Sequence, residues 1–102
     1  MKTEIINYCA ELFDVTAADI VSRRRIKPIA QARFALYAAL RQRGWSYPRI
    51  GMFIGRDHAT VLHGVRKAEW LMERHRSYEE KVEALATWKP KPVALPVEES
   101  GQ

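Results

Sequence analysis

The chain has 102 residues, enough for one domain with a modest core. It contains a single cysteine, so it cannot form an internal disulfide. No apolar run approaches the ~20 residues that span a bilayer, and the start of the chain lacks a signal-peptide core, so we expect a cytoplasmic protein. The formal net charge of +5 favours a polyanionic partner.

The positive charge is concentrated in the middle of the chain. Residues 23–67 contain eleven arginines and lysines and one acid, Asp57, whereas residues 1–22 carry a net charge of −3 and residues 68–102 a net charge of −2. Such a basic region is the electrostatic footprint of a phosphate-binding surface. Because an acid within it weakens phosphate binding, Asp57 is expected to read a base or to cap a helix.

Helices are predicted along the first half of the chain. The first covers about residues 3–13, and Cys9 falls on its apolar face, where we expect a buried, unreactive thiol. Thr16 opens a capping-box-like start to a short second helix. Pro28 suits the first turn of a long third helix that ends near Arg43. Between the second and third helices lies a basic loop that contains Arg23, Arg24, Arg25 and Lys27.

A helix-turn-helix is predicted next. Ser46 caps a short helix over residues 47–54, and Gly55 takes the positive φ of the turn. Gly51 is the small residue that lets the two helices cross closely. The second helix of the pair runs over about residues 57–76, with apolar residues at the spacing of a core-facing stripe.

The start of that second helix concentrates groups that can read base edges. Arg56 and His58 carry donors for guanine or adenine, and Asp57 can accept from a cytosine amino group. The methyl groups of Ala59 and Thr60 can meet the methyl group of thymine. By angular counting His58 also points towards the core, so a packed histidine is its alternative interpretation, as helix capping is for Asp57.

The outer face of the same helix continues with His63, Lys67 and Trp70. His63 and Lys67 are candidate DNA contacts, although His63 could touch a phosphate or nothing. Trp70 is expected to be covered by the last helix, and a partner-binding surface is the alternative.

The last helix is predicted to begin in a capping box, Ser77-Tyr78-Glu79-Glu80, and to end near Trp88. Residues 89–102 contain three prolines and few large apolar groups, so we expect a disordered tail. The predicted domain therefore covers residues 1–88.

Three segments closely resemble the C-terminal DNA-binding domain of the bacterial replication initiator DnaA: residues 22–25, 28–33 and 55–67, where Arg-Asp-His-x-Thr-Val is the signature of that domain. The resemblance runs from about residue 3 to residue 86. It implies an all-α domain of about six helices, similar to the Trp repressor, that binds the DnaA box of a replication origin as a monomer. It also implies that the second helix of the helix-turn-helix enters the major groove while the basic loop reaches the adjacent minor groove.

The resemblance also implies individual roles. It makes Arg25 the minor-groove arginine, Arg33 a DNA contact at the start of the long helix, Asp57 and His58 base readers, and Thr60 a phosphate anchor. Two positions depart from the family pattern: Ala59 stands where threonine or serine is usual, and Phe34 where glutamine is frequent. Box preference or affinity is therefore expected to differ from that of the family.

A full initiator of that family also carries an ATPase module. These 102 residues contain no Gly-x-x-x-x-Gly-Lys-Ser/Thr motif, so the chain is not expected to bind ATP or to melt an origin by itself. The histidines and the cysteine lack metal-ligand spacing, and the adjacent Asp57 and His58 lack a nucleophile. We therefore expect no metal, no cofactor and no enzymatic activity.

The sequence thus predicts a bacterial or prophage protein, associated with the nucleoid, that binds double-stranded DNA at DnaA-box-like sites and regulates replication or transcription. Competition with a full-length initiator for those sites is an expected consequence. Two alternatives remain: a helical protein–protein interaction module that uses Trp70 and the last helix, and a nonspecific nucleic-acid binder driven by charge.

Overall fold

The computed structural model describes residues 2–90, which fold into six α-helices with no strand among them. In chain order the helices are α1 Lys2–Phe13, α2 Ala17–Val21, α3 Lys27–Gln42, α4 Tyr47–Ile54, α5 His58–Arg74 and α6 Arg76–Ala86. The predicted all-α helix-turn-helix architecture is confirmed. From residue 91 onwards, the predicted tail lies outside the described residues.

Helix α3 lies at the centre of the domain and contacts each of the other five helices. Nine of its 16 residues are buried, and Leu36, Tyr37 and Leu40 are almost completely shielded from solvent. Several of the remaining buried positions are alanines, whose short side chains let neighbouring helices approach closely. The core therefore forms around α3 and holds the helix-turn-helix on one side of it.

Cys9 belongs to this core. Its side chain is completely buried, and Sγ donates a long hydrogen bond of 3.4 Å to the carbonyl oxygen of Ala32. Burial raises the pKa of the Cys9 thiol to about 12, so the reactive thiolate is scarce at neutral pH. The buried position predicted for Cys9 is confirmed.

Local hydrogen bonds fix the helix starts that the sequence indicates. The Thr16 hydroxyl accepts from the Asp19 N–H at 3.0 Å at the start of α2, and the Ser46 hydroxyl accepts from the Arg49 N–H at 3.2 Å at the start of α4. Gly55 ends α4 with φ +79°, a left-handed conformation that costs glycine no steric strain. These signals act within four residues, which is why the sequence alone reveals them.

The predicted capping box of the last helix is wrong. Helix α6 begins at Arg76, directly after the single extended residue His75, which makes no side-chain capping hydrogen bond, so Ser77 lies inside the first turn. Tertiary packing decides this start, because Tyr78 is buried and its hydroxyl donates to the Gln31 carbonyl oxygen of α3 at 2.7 Å. The helix also ends earlier than predicted, at Ala86.

Two glycines admit close approaches near the helix-turn-helix. A Cβ atom on Gly51 would overlap the carbonyl oxygen of Arg56, so this glycine makes room for the turn after α4 rather than for the body of α5. The crossing of α3 and α5 depends instead on Gly64, where a Cβ atom would lie 2.5 Å from Cδ2 of Tyr37. This role of Gly64 was not predicted from the sequence.

Candidate nucleic-acid interface

The first turn of α5 presents its side chains to solvent. Asp57, His58, Ala59 and Thr60 are all exposed at the N-terminal end of the helix, and we call these four residues the reading head. Asp57 Oδ1 accepts a 2.8 Å hydrogen bond from the Thr60 N–H, so the predicted helix cap is confirmed. This hydrogen bond holds the pKa of Asp57 below its usual range, which keeps the carboxylate ionised and acceptor-only at neutral pH.

The alternative of a packed His58 is wrong. Angular counting groups His58 with Val61 and Val65, which are buried, but the first residue of α5 projects beyond the contact with the core. The imidazole instead borders a surface groove that is also lined by Pro48 and Met52 of α4. His58 is therefore accessible to a partner that approaches the start of the helix.

The basic loop connects α2 to α3, and its last cation, Lys27, is the first residue of α3. Arg23, Arg24, Arg25 and Lys27 are exposed, as predicted for a positively charged surface. Arg24 Nη1 lies 3.4 Å from Oδ1 of Asp19, an exposed ion pair that contributes little energy. The other loop cations have no ion pair among the contacts of the described chain, so their charge is available to an anion.

The loop and α5 face each other across a groove of about 630 Å³. Five arginines and lysines and no acid are found among the described residues that line this basic groove: Arg23, Arg25, Arg33, Arg56 and Lys67. Ala30, Phe34, Thr60, His63 and Gly64 complete the lining. The fold thus brings together two segments that the sequence analysis predicted to act jointly.

A second groove of about 480 Å³ lies on the other side of Arg56 and follows α4. It shares Arg23, Arg56 and Thr60 with the basic groove, so the two form a continuous surface around the reading head. Asp57 and His58 line this second groove and not the basic groove. An acceptor and a donor for base edges therefore lie next to the cations of the basic groove.

Two of the predicted contact residues are turned inwards. Only 7% of Arg33 is exposed, and its guanidinium donates to four carbonyl oxygens of α2 and the basic loop. Arg56 is half-buried and donates to the carbonyl oxygens of Ile54 and Gly55 and also to that of Ser22. The guanidiniums of Arg33 and Arg56 therefore lie beneath the exposed loop cations and bond the backbone of the loop and of the turn.

Met52 is a surface residue that the sequence analysis missed. It is 86% exposed and lines the second groove beside the reading head. Helical spacing could have found it, because Ile50 and Ile54 are buried one turn apart on α4 and Met52 lies midway between them, on the opposite side. A flexible thioether there suits contact with an irregular or apolar surface.

The outer face of α5 extends beyond the reading head. His63 and Lys67 are exposed, as predicted. Trp70 is 50% exposed, so the expectation that the last helix covers it is wrong. Helix α6 folds back after His75 and packs mainly against α3, which leaves the indole to stack under the guanidinium of Arg74, 4.1 Å from the ring centroid.

Neither a metal site nor a membrane span is found in residues 2–90. No group of three or more histidine, cysteine, aspartate or glutamate side chains in this part of the chain is arranged to hold a metal ion. No helix among the described residues is long and apolar enough to cross a membrane.

Comparison with known proteins gives a consistent match. A family model described as the bacterial dnaA protein helix-turn-helix matches residues 3–68. The chain is 39% identical over 84 residues to the chromosomal replication initiator protein DnaA of Xanthobacter autotrophicus, an alignment that covers 80% of this chain and 17% of that protein. The corresponding proteins of Wolbachia pipientis wMel and Anaplasma marginale are 37% identical over 84 residues and 46% identical over 66 residues. Those alignments cover 80% and 63% of this chain and 18% and 14% of the relatives, so the chain spans less than a fifth of their length.

Proposed function

Since the chain belongs to the bacterial DnaA helix-turn-helix family, we propose that it binds double-stranded DNA sequence-specifically, at sites similar to DnaA boxes. One observation carries this proposal. The exposed start of α5 and the exposed basic loop lie on either side of a groove whose exposed cations are Arg23, Arg25 and Lys67. When a helix enters a groove of duplex DNA, the phosphate backbone lies beside the helix, where such cations neutralise it.

The two elements divide the recognition. The major groove is wide enough for an α-helix and displays a distinct donor and acceptor pattern for each base pair, so the reading head is proposed to enter it. Asp57, His58 and Ala59 face base edges there, with Asp57 accepting from a cytosine amino group. Arg25 from the basic loop enters the adjacent, narrower minor groove, where it distinguishes A·T from G·C pairs.

The remaining contacts are proposed to go to the phosphate backbone. Thr60, His63 and Lys67 line the basic groove from the side of α5, and Arg23, Arg24 and Lys27 supply charge from the loop. Both recognition elements come from one chain, so a monomer suffices on DNA. Binding of this kind needs no ATP, metal or cofactor, and the proposed role is recognition rather than catalysis.

Selection of bound sequences from a random duplex pool, followed by a salt titration of the selected duplex, tests this function. If roughly six phosphates are neutralised, the logarithm of affinity should fall against the logarithm of salt concentration with a slope of about −5. Steep salt dependence with no preferred duplex would show a nonspecific nucleic-acid binder. Absence of duplex binding at low salt would favour the protein–protein interaction module instead.

We further propose that occupancy of these sites regulates replication initiation or transcription in the nucleoid. The 102 residues contain no phosphate-binding Gly-x-x-x-x-Gly-Lys-Ser/Thr motif, so a bound copy of this polypeptide occupies DNA without ATP-driven strand opening. In a reconstituted origin-unwinding assay, the added polypeptide should reduce unwinding in proportion to box occupancy, and the Asp57→Ala variant should reduce it less. Unaffected or stimulated unwinding with occupied boxes would favour an accessory role or a promoter-bound regulator.

A further inference from the structure

Arg33 and Arg56 converge on one backbone atom, the carbonyl oxygen of Ser22, where α2 ends and the basic loop begins. We propose that these two arginines are positioning residues, which clamp the basic loop at a set distance from α5 and do not themselves contact DNA. The proposal rests on the proposed function, because the distance matters for reading the two grooves of one duplex together.

The guanidinium of Arg33 is committed to the protein. Nε donates to the Ile20 carbonyl oxygen at 2.7 Å, and Nη2 donates to those of Ser22 and Asp19 at 2.8 and 2.9 Å. Nη1 donates to the Arg24 carbonyl oxygen at 3.1 Å. Four of the five N–H donors of an arginine are thus used, on a side chain that is 7% exposed, which leaves little to offer a phosphate.

Arg56 joins this arrangement from the other side. It lies in the turn between α4 and α5, directly before the reading head, and Nη2 donates to the Ser22 carbonyl oxygen. Nη1 donates to the Gly55 and Ile54 carbonyl oxygens at 3.2 and 3.3 Å, which holds the side chain against its own turn. The base of the loop is therefore tied to the start of α5 through a single side chain.

Electrostatics explains why the loop requires such a clamp. Four of its five residues from 23 to 27 are cations, which repel one another and favour many extended conformations. The carbonyl groups at the C-terminal end of α2 carry the negative end of its dipole, and local hydrogen bonds supply that of Asp19 with donors from Ser22. The buried guanidinium of Arg33 and the half-buried guanidinium of Arg56 donate to carbonyls at this end of the loop, so its order does not depend on the exposed Arg24–Asp19 ion pair.

Limited trypsin digestion of the free protein tests the clamp without DNA. Trypsin cuts after Arg23, Arg24 and Arg25 only when the loop opens, so Arg33→Lys and Arg56→Gln should be cut there about tenfold faster than the wild type, or more. Arg76→Gln is the matched control, because it removes an exposed charge on α6 whose ion pair in residues 2–90 is with Glu80. The digestion is run where circular dichroism shows every variant fully folded. Unchanged cleavage in both clamp variants would overturn the proposal.

A double-mutant cycle with Arg25→Ala tests the consequence for DNA, on the duplex that the random pool selects. If Arg33 acts by placing the loop, Arg33→Lys should weaken binding about as much as Arg25→Ala, on the order of tenfold, and relax the same A·T-rich edge. Combining the two substitutions should then cost little more than Arg25→Ala alone. Lysine binds phosphate well as a point charge but cannot span four carbonyls, so it separates a positioning role from a phosphate contact.

Wild-type binding by Arg33→Lys, or additive losses in the cycle, would show a direct phosphate contact and overturn the proposal. Arg56→Gln provides the second variant, since Arg56 is less buried and its loss threatens the core less. If the loop opens in the clamp variants while the wild type prefers no duplex, the clamp stands as a structural feature and the proposed function is wrong.

Discussion

The reading head and the basic loop belong to one surface but are built in different ways. The head is set by neighbours in sequence: Gly55 turns the chain and Asp57 caps α5 three residues before Thr60. The base of the loop is held by Arg33 and Arg56, which lie 9 to 34 residues away along the chain. One half of this surface thus follows from local rules, whereas the other half forms only when the tertiary fold is complete.

The largest expected effect comes from adding a side-chain atom at the turn between α4 and α5, next to the reading head. Gly51→Ala places a Cβ against the backbone oxygen of Arg56, which cannot move without displacing the turn, so we expect a loss of ~1–3 kcal/mol in the free energy of unfolding. Urea unfolding measures this loss. Met52→Ala, one residue along α4 and 86% exposed, is the control and should change stability by less than ~0.5 kcal/mol. Equal stability of the two variants would show that the turn is not tightly packed.

Removing Asp57 should separate base reading from helix capping. Asp57→Ala is expected to relax one base position in the major groove by ~1–3 kcal/mol, as measured with duplexes substituted at each position. Asp57→Asn is the informative companion, because asparagine caps a helix about as well but brings an amide donor to the base edge. If Asp57→Asn keeps the wild-type base preference and Asp57→Ala merely lowers the melting temperature, capping is the whole role of this residue.

Arg25→Ala should affect the other half of the surface alone. If Arg25 enters the minor groove as proposed, its loss is expected to weaken binding about tenfold and to relax preference at the A·T-rich edge, leaving the positions proposed for the head unchanged. The salt slope should become shallower by about one if the side chain also neutralises a phosphate. A uniform loss across all positions would mean that Arg25 supplies charge and no base preference.

Local and tertiary features of the fold also differ in how far the sequence predicts them. Caps at Thr16 and Ser46 and the positive φ of Gly55 are set by contacts within a few residues, so the helices and the turn are predicted correctly. Tertiary packing is not visible at that range. Helix α6 begins at Arg76, one residue before the predicted cap Ser77, and Trp70 is half exposed although the last helix was expected to cover it.

Arg33 shows most clearly what the sequence conceals. An arginine beside a cationic loop resembles a phosphate contact, and the family resemblance supports that interpretation. Its acceptors are backbone carbonyls of residues 19–24, which are brought to it by the packing of α2 on α3. Every residue type has a backbone carbonyl, so the residue types at positions 19–24 do not indicate this contact, and neither composition nor motif could reveal it.

The smallest expected effect concerns Ala59, the family departure within the reading head. Its side chain is exposed in the first turn of α5, so a larger residue fits without disturbing the core. Ala59→Thr supplies a hydroxyl and a methyl group, and we expect stronger binding to a DnaA box by about 1 kcal/mol, the net value of one hydrogen bond. Competition binding at fixed salt measures the difference.

Ala59→Val is the matched control for this gain. Valine has the shape and the β-branching of threonine, so it carries the same cost in helix propensity but lacks the hydroxyl. A gain with threonine alone assigns the effect to a hydrogen bond, whereas equal gains assign it to methyl contact. Should Ala59→Thr bind a DnaA box no better than the wild type while a different selected duplex binds more tightly, the head is adapted to another sequence. The basic loop would then serve the same minor-groove role beside an altered major-groove site.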